Sequence, residues 1–570
     1  MLMLLVALSE MASLGSIVPF LSALSNAEQV LKQAWLQPLL SLFDITSTSE
    51  LVFGLAIAFI GITLATNLLR ITTLYCQTHL SARIGIDLAY LIYHRTILQP
   101  YRFYLTHNSS DLISLVAYDA NGLGAGIVMP CLLAVTNSFV IIGLVIGLFW
   151  IDGRVAVSIC GILGAVYGVL YIWRRQTLLH NSRLMSRHHQ QRVQVIQESL
   201  GGIREVILDE THGFFQSIYA ESNRINQLAN ASNMITYLTP RYGIEMVAMS
   251  AIALMALSLG QDGDFRQAIP VLGSLAVGAN RLLPTLQQSF VAIAGLQGSR
   301  ASLQRSLMAL ERAVNPLQFL PPPPPIELKQ ELRFEQVWFR YHPDEAWILQ
   351  NLNLVIPSRT TVGFVGTTGS GKTTTADLIL GLLQPERGQI LLDNEPLSGE
   401  RLRAWQGAIA HVPQHIFLSD ATIASNIAFG IPTAEIDLKR VMAAAQSAQL
   451  DDFIQTLPQG YQTWVGERGV RLSGGQRQRV GIARALYSQA SVIVFDEATS
   501  ALDTRTEQDV MAAIEGLSHD LTIILITHRL TTVEKCDRIF ELQQGRIVHQ
   551  GTFKELTAQS ASFRDYLSAL

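Results

Sequence analysis

Over its first 300 residues the chain alternates long apolar runs with polar, basic stretches. A helix that crosses a membrane needs about 20 largely apolar residues. Runs of this kind lie at 2–24, 51–75, 122–150, 155–173, 244–259 and 268–296, which predicts six spanning helices. The last two are the least regular: 244–259 is short, and 268–296 contains Arg281 and Pro284. The first run starts beside Met1 with no basic segment before it, unlike a secretory signal peptide. It is therefore read as a spanning helix, with a short cytosolic segment expected ahead of the given start.

The connections between runs differ in kind. Those at 25–50, 151–154 and 260–267 are short or modest. Those at 77–121 and 174–242 are long and amphipathic, which predicts helices extended beyond the bilayer. The first carries Arg83, His94, Arg95 and Arg102; the second carries Arg174, Arg175, Arg183, Arg187, Arg192 and Arg204. This excess of cations assigns both to the cytoplasmic side. Residues 99–111 are the expected place of a short helix that touches a cytosolic domain, and 208–215 the matching place in the second connection.

Pro321 to Pro325 form an unbroken proline run, stiff and hostile to helix or sheet, read here as a spacer. Beyond it the pattern changes. Apolar strands at 361–365, 491–495 and 521–526 alternate with helical segments such as 377–383 and 476–486, the signature of an α/β domain with a largely parallel sheet. The expected organisation is a transmembrane domain at 1–315, a linker at 316–326 and a second domain at 327–570.

The second domain holds the chemistry. Gly366, Thr367, Thr368, Gly369, Ser370, Gly371, Lys372 and Thr373 match G-x-x-x-x-G-K-[ST] directly after a strand, with Thr374 continuing into a helix. Such a loop wraps phosphates with backbone N–H groups, and the helix N-terminus adds partial positive charge. Lys372 supplies a point charge and Thr373 a hydroxyl for Mg²⁺. The strand at 491–495 delivers Asp496 and Glu497 at its C-terminal end, where α/β sheets bind ligands. Asp496 suits Mg²⁺, and Glu497 suits polarising a water as general base.

Leu472, Ser473, Gly474, Gly475, Gln476, Arg477 and Gln478 then form a segment that resembles the signature sequence of ABC ATPases. The resemblance implies that Ser473, Gly474, Gly475 and Gln476 bind the γ-phosphate of ATP held by another subunit, so that a complete site needs two chains. Further elements follow in the family's order. Tyr341 resembles the aromatic that stacks on adenine. Gln414 resembles the loop glutamine that reaches Mg²⁺ and the attacking water. Residues 465–469 resemble a loop that touches the partner's cytoplasmic helices. Asp503 matches a dimer-contact loop, and His528 the histidine that holds the γ-phosphate. The cofactors implied are ATP and Mg²⁺, the catalytic set Glu497, His528 and Gln414. No catalytic element departs from the family pattern, which favours a homodimer. The implied fold class is an all-α six-helix transmembrane domain of exporter type, followed by an α/β P-loop NTPase domain.

The membrane half bears on cargo. Residues 9–20, 108–111, 240–245 and 280–284 resemble bacterial flippases of lipid-linked oligosaccharides and related exporters of envelope polysaccharide and glycolipid. A charge inside a span is costly and by default functional. Arg281, with Arg241 at the cytosolic end of the fifth run, suits a phosphate headgroup through bidentate hydrogen bonds. The competing reading pairs Arg281 with Glu10 or Glu245 to pack helices, or lets it snorkel. Exporters of drugs, peptides or ordinary phospholipids keep the same engine, and an ATP-gated channel or receptor is a rival of another class. Six spans without organelle signals point to a bacterial inner membrane.

Composition adds exclusions. Charged residues are only 15%, the apolar first half removes a soluble ABC ATPase of repair or translation from consideration, and a net charge of −4 argues against nucleic-acid binding. Cys76, Cys131, Cys160 and Cys536 show no metal-ligand spacing and read as apolar filler.

Overall fold

A computed structural model of the chain describes residues 1–31, 47–151, 153–261, 265–497, 512, 521–527 and 533–564. It divides into two compact units. One comprises residues 1–99 and 107–314; the other comprises 100–106 and 315–570.

The first unit is helical. α1 is Leu2–Leu31 and α2 is Thr48–Ile97. α3, Tyr101–Thr106, belongs to the second unit. α4 starts as Ser109–Ser114, passes through π-helical segments at Leu115–Ala120 and Gly124–Val128, and continues as Met129–Ile151. α5 is Gly153–Gly201, α6 Ile203–Leu208, α7 His212–Gln261, α8 Phe265–Gly298 and α9 Arg300–Glu311.

By length and apolar composition, three helical runs among the described residues can cross a membrane: Leu2–Leu24, Thr48–Ile97 and Ser109–Trp150. The other three predicted runs fall on α5, α7 and α8. Because α2 has 50 residues, it is about 75 Å long at 1.5 Å per residue, more than twice a ~30 Å hydrocarbon core. The excess lies where cationic, amphipathic sequence predicted extension beyond the bilayer. Ser47 caps α2 reciprocally with Glu50. Val6 and Leu14 of α1, Leu144 and Leu148 of α4 and Leu282 of α8 form one buried cluster. Leu178 of α5 with Phe290 and Ala294 of α8 form another.

The second unit contains two sheets. In the first, β2 (Leu349–Pro357), β1 (Glu331–Phe339), β4 (Arg387–Leu392) and β5 (Glu395–Pro396) run antiparallel in that order. The second has the order β10-β9-β3-β8-β7-β6. Here β6 (Ile409–Val412), β7 (Val492–Asp496), β8 (Thr522–Ile526), β3 (Thr361–Val365) and β9 (Arg538–Gln543) are parallel. β10 (Arg546–Gly551) closes the edge antiparallel. The central strands β3, β7 and β8 are largely apolar because both faces are covered: Thr522–Ile526 is buried at every position.

The helix predicted at 377–383 is α10, Lys372–Ile379. It stops early because Gly381 takes a left-handed φ of 70° and its N–H bonds back to the Leu378 carbonyl, a glycine-based C-terminal stop. The predicted segment 476–486 lies within α11, Gly474–Tyr487. The proline run lies without helix or strand between Leu320, whose carbonyl accepts from Arg403, and Ile326, whose N–H donates to Ala404.

Candidate active site

Parallel pairing brings the C-terminal ends of four strands into one row. Phe364 of β3 and Asp496 of β7 both register with Ile526 of β8, and Val412 of β6 registers with Phe495. The residues that follow each strand therefore emerge on one edge of the sheet. The phosphate loop follows β3, Glu497 follows β7, and Gln414 lies two residues beyond β6.

The loop needs its glycines. Gly366 sits at φ 143°, and a Cβ there would lie 2.2 Å from the Leu542 carbonyl oxygen. Thr367, Thr368 and Gly369 are exposed, whereas Ser370 and Gly371 are buried and Gly371 caps α10. Lys372 Nζ donates to the carbonyls of Gly366 and Thr367 at 2.7 and 3.0 Å, so the ammonium is held inside the loop. Burial lowers its pKa, and the Glu497 and Asp496 carboxylates oppose that shift. Ser370 Oγ is buried with no hydrogen-bond partner among the described residues, an orphaned hydroxyl inside a loop built for anions. Thr373 is exposed on the first turn of α10, while Thr374 is buried.

Gln414 Nε2 donates to Glu497 Oε2 at 2.7 Å. Glu497 has a positive φ of 50°, and its N–H donates to the Ile526 carbonyl at 2.8 Å. A non-glycine residue held in this region marks a constrained backbone, a common feature of functional sites. On α10, Asp377 is raised to about 6 by burial first and by the Asp496 carboxylate second. Lys372, Asp496, Glu497 and Gln414 thus lie near one another. Asp496, Gln414 and Thr373 offer a carboxylate, an amide carbonyl and a hydroxyl, oxygen donors of the kind that suits Mg²⁺.

Tyr341 follows β1. Its hydroxyl lies 3.1 Å from Thr374 Oγ1, its ring packs edge-on against Phe339, and burial raises its pKa. Ser473 is the N-cap of α11, in a reciprocal capping box with Gln476. Ser473 is exposed, and Gly474, Gly475 and Gln476 are partly so. An exposed helix N-terminus of this kind can receive an anion from outside the chain. His528 and Asp503 lie outside the described residues.

In the helical unit Arg281 is paired. Its Nη1 donates to Glu10 Oε2 at 2.8 Å, and Arg70 of α2 engages the other carboxylate oxygen. Of the two carboxylates proposed as partners, Glu10 is the one that pairs. A cavity of about 290 Å³ opens beside this triad, lined by Arg70, Thr73, Gln77, Asn137, Arg281 and Gln288 among others. Two guanidiniums share one carboxylate, so its lining is net positive. Asn137 Nδ2 and Thr73 Oγ1 are buried there without hydrogen-bond partners among the described residues. Arg241 is exposed on α7 and does not line this cavity.

Two family models cover most of the chain: the ABC transporter transmembrane region at residues 16–261 and the ABC transporter at residues 349–500. The chain is also similar to the ATP-dependent lipid A-core flippase of Ralstonia nicotianae, 31% identical over 87% of this chain and 84% of the relative. It belongs to the ABC transporters. The flippase of Alkalilimnicola ehrlichii is likewise 31% identical over 85% of this chain and 81% of the relative. The fold matches a bacterial Atm1-family ABC exporter with ATP bound, at a TM-score of 0.81 and 24% identity, over 100% of this chain and 97% of that one. This ABC transporter is thus a membrane-spanning exporter fold fused to an ATPase domain that binds ATP.

Sequence reasoning missed two features of the transporter. Arg70 was absorbed into an apolar run, although a cation so placed carries the same signal that drew attention to Arg281. Glu386, which binds Arg340 and Arg102, carried no motif.

Proposed function

We propose that this ABC transporter is a homodimer that uses ATP to flip an amphipathic lipid, a lipid-linked oligosaccharide or a glycolipid, across a bacterial inner membrane. The observation that carries this reading is the net-positive, hydrogen-bonding cavity among apolar helices. A saccharide with a phosphate linkage matches such a lining, and a drug-like apolar cargo does not. The similarity to proteins named lipid A-core flippases points the same way. Arg281 lines that cavity as a candidate headgroup contact, with Arg241 a second candidate outside it.

In the ATPase half, Tyr341 stacks on adenine and the loop from Gly366 to Thr374 holds the phosphates. Glu497 takes the proton of the attacking water, Gln414 orients Glu497, and His528 holds the γ-phosphate. Thr373, Gln414 and Asp496 would hold Mg²⁺, which neutralises charge on the phosphates when bound. Ser473, Gly474, Gly475 and Gln476 complete the site of a second copy, and Asp503 contributes to the dimer contact. The exposed Leu208 and Phe214 at the α6–α7 turn suit burial against a second chain.

The test uses purified protein in liposomes that contain a fluorescent glycolipid, with headgroup exposure followed by a membrane-impermeant quencher. ATP should speed its crossing, and a Glu497→Gln protein should not respond. Normal hydrolysis without ATP-dependent movement would remove the cargo assignment.

A further inference from the structure

α3 sits in the connection between α2 and α4, yet it clusters with the ATPase unit. Its Arg102 grips the backbone of Tyr341. Nε and Nη2 donate to the Tyr341 carbonyl at 2.8 and 2.6 Å, and Nη2 lies 3.1 Å from Glu386 Oε1. The second Glu386 oxygen accepts from Arg340 Nε at 3.0 Å, and the Arg340 guanidinium lies 4.4 Å over the Trp347 ring. At its other end Tyr341 is held through its hydroxyl by Thr374 of α10. Tyr341 is therefore clamped from two sides, by α3 through its carbonyl and by the phosphate-loop helix through its hydroxyl. Tyr101 lies in the same place: burial raises its pKa, and the Asp377 carboxylate of α10 adds to the rise.

A planar guanidinium can fork onto a carbonyl and reach a carboxylate at once, whereas a lysine ammonium is a single point charge. We infer that Arg102 is a positioning residue that sets Tyr341 for the adenine ring, so that nucleotide and the α3 contact stabilise one another. This rests on Tyr341 being the base-stacking residue. Linkage then requires reciprocity: if nucleotide stabilises the α3 contact, the contact must strengthen nucleotide binding by the same factor.

The experiment uses the full chain in nanodiscs of phosphatidylethanolamine and phosphatidylglycerol. Arg102→Ala, Arg102→Lys and Tyr341→Ala are compared by KM and kcat for ATP and for CTP. Hydrogen exchange of residues 101–106 is followed with and without a non-hydrolysable ATP analogue. Arg102→Ala should raise KM for ATP about fivefold and KM for CTP less than about twofold, because the smaller pyrimidine gains less from the ring of Tyr341. Nucleotide should protect residues 101–106 in the natural protein and not in Arg102→Ala, and Arg102→Lys should recover part of both effects. Unchanged KM and retained protection in Arg102→Ala, with KM raised in Tyr341→Ala, would overturn the role of Arg102 alone. An equal rise for both nucleotides would reduce it to a structural contact, which also overturns the inference. Unchanged KM in Tyr341→Ala would remove the stacking assignment and this inference with it.

Discussion

Removing Glu10 should damage the membrane unit more than removing either of its partners. Glu10 is fully buried, Arg281 keeps 17% of its side chain exposed, and Arg70 keeps 40%. Glu10→Ala leaves two neighbouring guanidiniums with no counter-charge among the described residues, and loss of one partner from a buried pair costs about 3–5 kcal/mol. Arg281→Ala leaves Glu10 in its ion pair with Arg70 and forfeits one charge-assisted hydrogen bond, about 1.5–3 kcal/mol. The double variant leaves only Arg70, the most exposed of the three, whose head can reach solvent. Its cost should therefore not exceed that of Glu10→Ala, although simple addition gives about 4.5–8 kcal/mol. The assay is equilibrium unfolding in mixed micelles with a denaturing detergent, read as a double-mutant cycle. Additivity within about 0.5 kcal/mol would refute the coupling, since that is the behaviour of independent sites. It would also free Arg281 for cargo contact alone.

Three further outcomes follow from the ATPase unit. Glu497→Gln should keep ATP binding and lose about 10²–10⁴-fold in hydrolysis, the usual contribution of a general base; near-normal phosphate release would dismiss that role. Gly366→Ala forces a methyl against the Leu542 carbonyl and should weaken ATP binding by about 1–3 kcal/mol, measured by equilibrium binding without turnover. His411 in β6 is lowered to about 4 by burial, from an ordinary value of 6.5. The unfolded chain thus takes up a proton between these values that the folded chain refuses, so stability falls as pH drops from 6.5 to 4. Asp377, raised to about 6, acts with the opposite sign: its folded form holds a proton that the unfolded chain releases, so it costs stability as pH rises towards 6. His411→Gln should flatten the acid-side loss of the unfolding midpoint, and an unaltered slope would exclude His411 as its source.

The alternation of apolar and polar sequence determined most of the architecture by itself. The run at 2–24 has little alternative to a spanning helix, and Val492–Asp496 or Thr522–Ile526 little alternative to buried parallel strands. The phosphate loop was equally legible, because its glycines, Lys372 and Thr373 are neighbours whose spacing is the chemistry. Contacts between residues far apart in sequence were not legible. Glu10 and Glu245 were both carboxylates within plausible reach of Arg281, and only the packing of α1 against α8 decided for Glu10. Gln414 and Glu497 are brought within 2.7 Å because β6 and β7 pair in parallel. Arg102 looked like one of several cytoplasmic cations. Its hold on Tyr341 is made to a backbone carbonyl, a group every residue carries, so side-chain identity could not announce it. Sequence fixes which groups exist and their local conformation; which of them share a space depends on strand register and helix packing, set by the whole chain at once.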